Sequence, residues 1–106
     1  MSLKKQVLKS RPICKVTFRV SKEAADGAKT IYVVGDFNHW DETASPLKRL
    51  KSGEFTTMLE LDTTRDEYQF RYLYDGENWE NEWEADGYAD NGNGGENSVV
   101  KVTADA

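Results

Sequence analysis

Three tryptophans stand where their apolar area is hardest to bury. Trp40 ends the run VVGDFNHW that begins at Val33, while Trp79 and Trp83 fall within YLYDGENWENEWEAD, Tyr72 to Asp86. In both stretches an apolar, β-branched or aromatic run stops at a Gly-containing turn, and Trp follows in polar company. Burying a large apolar side chain stabilises a fold by roughly 1.5–3 kcal/mol, so a loop Trp is costly unless its flat face has another use. The neighbours suggest which use. Asn38 and His39 precede Trp40; Asn78, Glu80 and Asn81 surround Trp79; and Arg71 lies on the polar side of the strand leading to Asp75-Gly76. A pyranose ring offers a face of C–H groups bordered by hydroxyls. An aromatic face suits the C–H groups, and amide, guanidinium and carboxylate groups suit the hydroxyls. Each Trp also has a plainer reading, as a cap on the open end of a sandwich, and Trp83 is the first candidate for it.

Other chemistries fit less well. Glu77 to Glu96 is rich in carboxylates, and glycosidases flank the scissile bond with a carboxylate pair. A sandwich of this size offers only a shallow site, however, so the acidic residues read as surface and no enzyme is expected. Asp86, Asp90, Asn91, Asn93 and Glu96 do not follow the spacing of a calcium-binding loop, and such residues ordinarily build turns. His39 is the one histidine and Cys14 the one cysteine, too few to assemble a zinc site or a disulfide. No cofactor or metal is expected.

The 106 residues suit one domain with one core. Hydrophobic content is 38%, charged content 31%, and the net charge is -5, which argues against phosphate backbones and anionic membranes as partners. No apolar run approaches a transmembrane span, and no leader is evident, so a cytoplasmic location is expected. Residues 1–12 read as a flexible N-terminal arm, 13–103 as a single β domain and 104–106 as a tail. Cys14, Val16, Phe18 and Val20 alternate with polar residues, as do Phe55, Thr57, Leu59 and Leu61, each giving a strand with one buried face. Thr30 to Val34 reads as a strand covered on both sides. Tyr68, Phe70, Tyr72 and Tyr74 line one face of a further strand, opposite Gln69, Arg71 and Leu73. A Val-rich strand over 98–103 closes the chain. Ser21 to Lys29 could hold a helical turn, and 79–96 reads as a long acidic loop. The expected fold is an all-β antiparallel sandwich.

The order of these pieces resembles the glycogen-binding modules of the isoamylase early-set type, the family-48 carbohydrate-binding modules. These include the module of the AMP-activated protein kinase β subunit, the N-terminal modules of branching and debranching enzymes, and short stand-alone bacterial members. The matching residues are YVVGDFNHW (Tyr32–Trp40), Pro46-Leu47, Gly53-Glu54-Phe55, YQFRYLYDGENW (Tyr68–Trp79) and ENSVV (Glu96–Val100). The resemblance implies an immunoglobulin-like sandwich that binds α-1,4-glucan (glycogen, starch or maltooligosaccharides) without catalysis. By position it implies that Trp40 and Trp79 stack on glucose rings and that Arg71 and Asn97 bind hydroxyls. Asn38, His39 and Asn78 would be peripheral. Arg71 stands where relatives often carry Lys, which changes the hydrogen-bond geometry. The loop 87–95 lacks the Pro and large apolar residues of many relatives. The rival reading is a module that keeps the fold but docks to a glycogen-metabolising enzyme, since exposed Trp and Tyr also mark protein interfaces.

Overall fold

The computed structural model describes residues 1–103, and the tail expected at 104–106 lies outside the described residues. Two antiparallel sheets face each other as an immunoglobulin-like sandwich. The first contains β1 (Ser2–Val7), β2 (Ile13–Val20), β5 (Phe55–Asp62) and β4 (Lys48–Arg49), in the order β1-β2-β5-β4. The second contains β3 (Ile31–Gly35), β6 (Glu67–Tyr74), β9 (Glu96–Lys101) and β8 (Gly87–Asp90), in the order β3-β6-β9-β8. A short strand, β7 (Asn78–Glu80), also pairs with β6. One helical turn, α1 (Lys22–Ala25), links β2 to β3, and the Ser21 hydroxyl caps it by accepting from the Ala24 N–H at 3.1 Å.

The alternating strands behave as their pattern dictates. Cys14, Val16, Phe18 and Val20 are fully buried from β2. Tyr68, Phe70, Tyr72 and Tyr74 meet them from β6. Phe18 stands edge-on to Phe70, with ring centroids 5.2 Å apart, and Phe70 edge-on to Tyr72 at 5.7 Å, the geometry that aromatic quadrupoles favour. The Tyr hydroxyls reach the margins of this core and donate to the Asp62 carbonyl, the Glu82 carboxylate and the Ala24 carbonyl.

Residues 2–7, expected within a flexible arm, instead form β1, paired with β2 from Ser2–Arg19 to Val7–Cys14. Leu3, Lys5 and Val7 stand opposite buried β2 residues, but the middle position is a lysine. Its ammonium reaches out to donate to Asp86 at 2.6 Å and to the Lys101 carbonyl at 3.1 Å. The expected 79–96 loop likewise contains β7 and β8.

Glu82, just after β7, is fully buried. Its Oε1 accepts from the Tyr72 hydroxyl at 2.8 Å and its Oε2 from the Glu84 N–H at 3.0 Å. Burial raises its pKa above the ordinary 4.5, partly offset by those hydrogen bonds. The folded protein therefore holds this proton more tightly than the unfolded chain. The stability tied to it is fully present below the unfolded value and is lost as pH rises through the folded one. Glu82→Gln can still accept from Glu84 and pair with Tyr72 without the charge. Its Tm relative to wild type should therefore be higher at pH 8 than at pH 4. An unchanged gap in thermal melts at the two pH values would contradict this assignment.

Candidate functional site

The turn after β3 is built to hold one indole. Gly35 ends β3 opposite Phe70, where an added Cβ would lie 2.5 Å from the Gln69 carbonyl oxygen and 2.7 Å from Phe70 Cβ. Only glycine lets the two strands close there. Asp36–Asn38 then forms a single 3-10 turn. Phe37 points inward, 5.7 Å from Phe18 and 6.1 Å from Tyr68 between ring centroids, and so ties the turn to the core. Asn38 closes the turn. Its Oδ1 accepts from the Gly35 N–H at 3.0 Å, and its Nδ2 donates to the Val33 carbonyl at 3.0 Å and the Ser45 hydroxyl at 3.1 Å. His39 and Trp40 follow with φ of +57° and +58°, a left-handed conformation that is a clear outlier for a side chain as bulky as Trp.

Asp36 holds Trp40 in that conformation. Its Oδ1 accepts from the indole Nε1 at 2.9 Å. Its Oδ2 accepts from the Gln69 backbone N–H at 2.8 Å and from Arg65 Nη2 at 2.8 Å. One carboxylate thus joins the Trp40 loop to the middle of β6. Arg65 is itself steadied over the Tyr68 ring, 4.9 Å from its centroid.

Strand register supplies the remaining groups. The outward face of β6 carries Gln69 and Arg71. Asn97 on β9 lies one step beyond the Phe70–Ser98 pair, beside Arg71, and donates to Gln69 Oε1 at 3.1 Å. The β6–β7 hairpin turns at Asp75-Gly76, whose φ values of +54° and +71° suit the twist of a tight hairpin. It sets Trp79 opposite Leu73. The Arg71 guanidinium lies 5.9 Å from the Trp79 ring centroid, in cation–π range, and its Nε is buried with no hydrogen-bond partner.

These residues line a groove of about 400 Å³ shared by Trp40, Trp79, Arg71 and Asn97, with Asp36 and Gln69 between them and Asn91 and Asn93 along one rim. The rim loop is ordered by Asn91, whose Oδ1 accepts from the Asn93 N–H at 2.8 Å and the Gly95 N–H at 3.1 Å. The groove thus combines two indoles, a guanidinium and several amides around a space the size of a short oligosaccharide.

The three expected peripheral residues lie elsewhere. The Asn38 carboxamide is taken up by its own turn, and Asn78 lines a second groove beyond β7. His39 is exposed and outside the groove lining. Trp83, first in line for a structural cap, is 63% exposed. Asp36, Gln69, Asn91 and Asn93 were not anticipated at the groove. Gln69 could have been found from its two-residue spacing to Arg71. Among the described residues no group of three His, Cys, Asp or Glu could hold a metal ion, and no helix is long and apolar enough to cross a membrane.

Against known proteins, the family described as the glycogen recognition site of AMP-activated protein kinase matches residues 20–106. No curated protein matches the chain.

Proposed function

The chain belongs to this family of glycogen recognition sites, and from that premise we propose that its groove binds α-1,4-glucan without catalysis. Trp40 and Trp79 stack on glucose rings, the Arg71 guanidinium and the Asn97 amide hydrogen-bond ring hydroxyls, and Asn91 and Asn93 add polar contacts at the rim. The observation that most supports this reading is that two indoles, the Arg71 guanidinium and the Asn97 amide line one groove. A hydrogen bond to a charged group contributes roughly 1.5–3 kcal/mol, and a sugar hydroxyl that reaches the guanidinium in the groove would make one. The two Trp faces would gain from burial against the C–H face of a glucose, so affinity and orientation come from different atoms of the same ligand. The function of such a site is to hold the protein on glycogen or a related glucan, in the cytoplasm, with a glycogen-metabolising enzyme as the protein partner it would bring there.

The test is an intrinsic-fluorescence titration with maltoheptaose and β-cyclodextrin. Trp79 is 37% exposed, so a ring stacked upon it should change the emission saturably. No change up to millimolar sugar would sink the glucan reading and favour docking to a protein.

A further inference from the structure

Trp83 is the most exposed of the large hydrophobic side chains, at 63%, and neither the core nor the first groove uses it. Its loop is nevertheless firmly held. Next to it, Glu82 is fully buried, accepts from Tyr72 through its carboxylate and donates its own N–H to the Ser98 hydroxyl at 2.8 Å. The indole is therefore displayed from a fixed point. It stands at a second groove of about 430 Å³, whose floor includes Ala25 and Tyr74 and whose wall includes Asn78 and Glu80. Successive strand residues point to opposite sides. β7 thus turns Trp79 toward the first groove and Asn78 and Glu80 toward the second, and one strand forms a wall of both.

We propose that this second groove is a further glucan subsite, in which Trp83 stacks on a glucose ring while Asn78 and Glu80 bind its hydroxyls. The inference rests on the glucan reading of the first groove. Among the described residues neither the Asn78 amide nor the Glu80 carboxylate has a side-chain hydrogen bond or ion pair, and no Lys or Arg lines the space. Acceptors beside an open indole match a neutral ring rich in O–H donors. Glu23, Asp26 and Asp75 also line the space, yet all four carboxylates are exposed, and pairing a cation with them would gain little. A glucan repeats the same ring along its length and across its branches, so a second groove on the same module raises avidity without any new kind of contact.

The experiment follows the three indole N–H signals of ¹⁵N-labelled protein, assigned by single Trp→Phe substitutions, during titration with maltoheptaose. The Trp83 signal should shift saturably, both in wild type and in Trp40→Ala/Trp79→Ala. Asn78→Ala/Glu80→Gln should reduce that shift several-fold. Trp83→Ala should weaken retention on glycogen about ten-fold through lost avidity. If the Trp40 and Trp79 signals move while Trp83 stays still, the second subsite is overturned and the first survives. A Trp83 shift that vanishes in the Trp40→Ala/Trp79→Ala protein would mark a transmitted effect and also overturn it. If no signal moves, the glucan reading itself has failed.

Discussion

Trp40→Ala should weaken maltoheptaose binding by about thirty-fold, while far-UV circular dichroism stays that of the wild type. Truncating a central aromatic contact commonly costs about 2 kcal/mol or more, and each 1.4 kcal/mol is a factor of ten. The fold should tolerate the loss, because Phe37 and Asn38 anchor the turn independently of the indole. Trp40→Gly separates display from packing. The left-handed backbone at this position, φ +58°, is costly for Trp and Ala but not for Gly. The Gly variant should therefore be the more stable of the two and bind no better. Affinity electrophoresis in glycogen-containing gels, paired with urea melts, reads both quantities. Wild-type affinity in either variant would remove Trp40 from the site.

The sequence makes the middle of the fold legible because burial imposes a period of two there. Cys14 to Val20 keeps that period without a break, and Tyr68 to Tyr72 keeps it until Leu73, which is apolar and buried on the opposite face. β1 escapes the same reading because Lys5 occupies a middle inward position and escapes to the edge through Asp86 and the Lys101 carbonyl. β7 and β8 are only three and four residues long and owe their pairing to β6 and β9 rather than to a pattern of their own. The groove divides along similar lines. Trp40, Trp79, Arg71 and Asn97 are marked by residue type and by the family resemblance, and the register brings them together. Asn38 is equally suitable by residue type, yet its carboxamide is used up by the Gly35 N–H, the Val33 carbonyl and the Ser45 hydroxyl, a competition visible only once the turn is formed. Asn91 and Asn93 read as turn residues, because only the fold brings their loop to the groove beside Gln69 and Asn97. Glu82 is harder still: nothing in a run of acidic residues distinguishes the one carboxylate that folds inward to meet Tyr72.

Asp36→Ala should lower stability by about 2 kcal/mol and also weaken glucan binding about ten-fold, two losses with separate causes. The stability loss comes from Oδ2. Without it the half-buried Gln69 N–H has no partner, a penalty of roughly 1–3 kcal/mol. The ion pair with Arg65 adds less than about 1 kcal/mol, because the Arg65 side chain is half exposed. The binding loss comes from Oδ1, which fixes the indole of Trp40 in its left-handed loop. A freed indole must be re-ordered by each incoming sugar, and that entropy is subtracted from affinity. Acrylamide should then quench Trp40 more readily in the variant, a change that a purely global destabilisation would not produce in native buffer. Asp36→Asn, which keeps one acceptor and loses the charge, should fall between wild type and Ala on both scales. The decisive comparison is a double-mutant cycle. Placed in a Trp40→Ala background, Asp36→Ala should still cost its stability but should change glucan affinity no further. If it weakens binding equally in both backgrounds, Asp36 acts on the ligand directly and not through the indole.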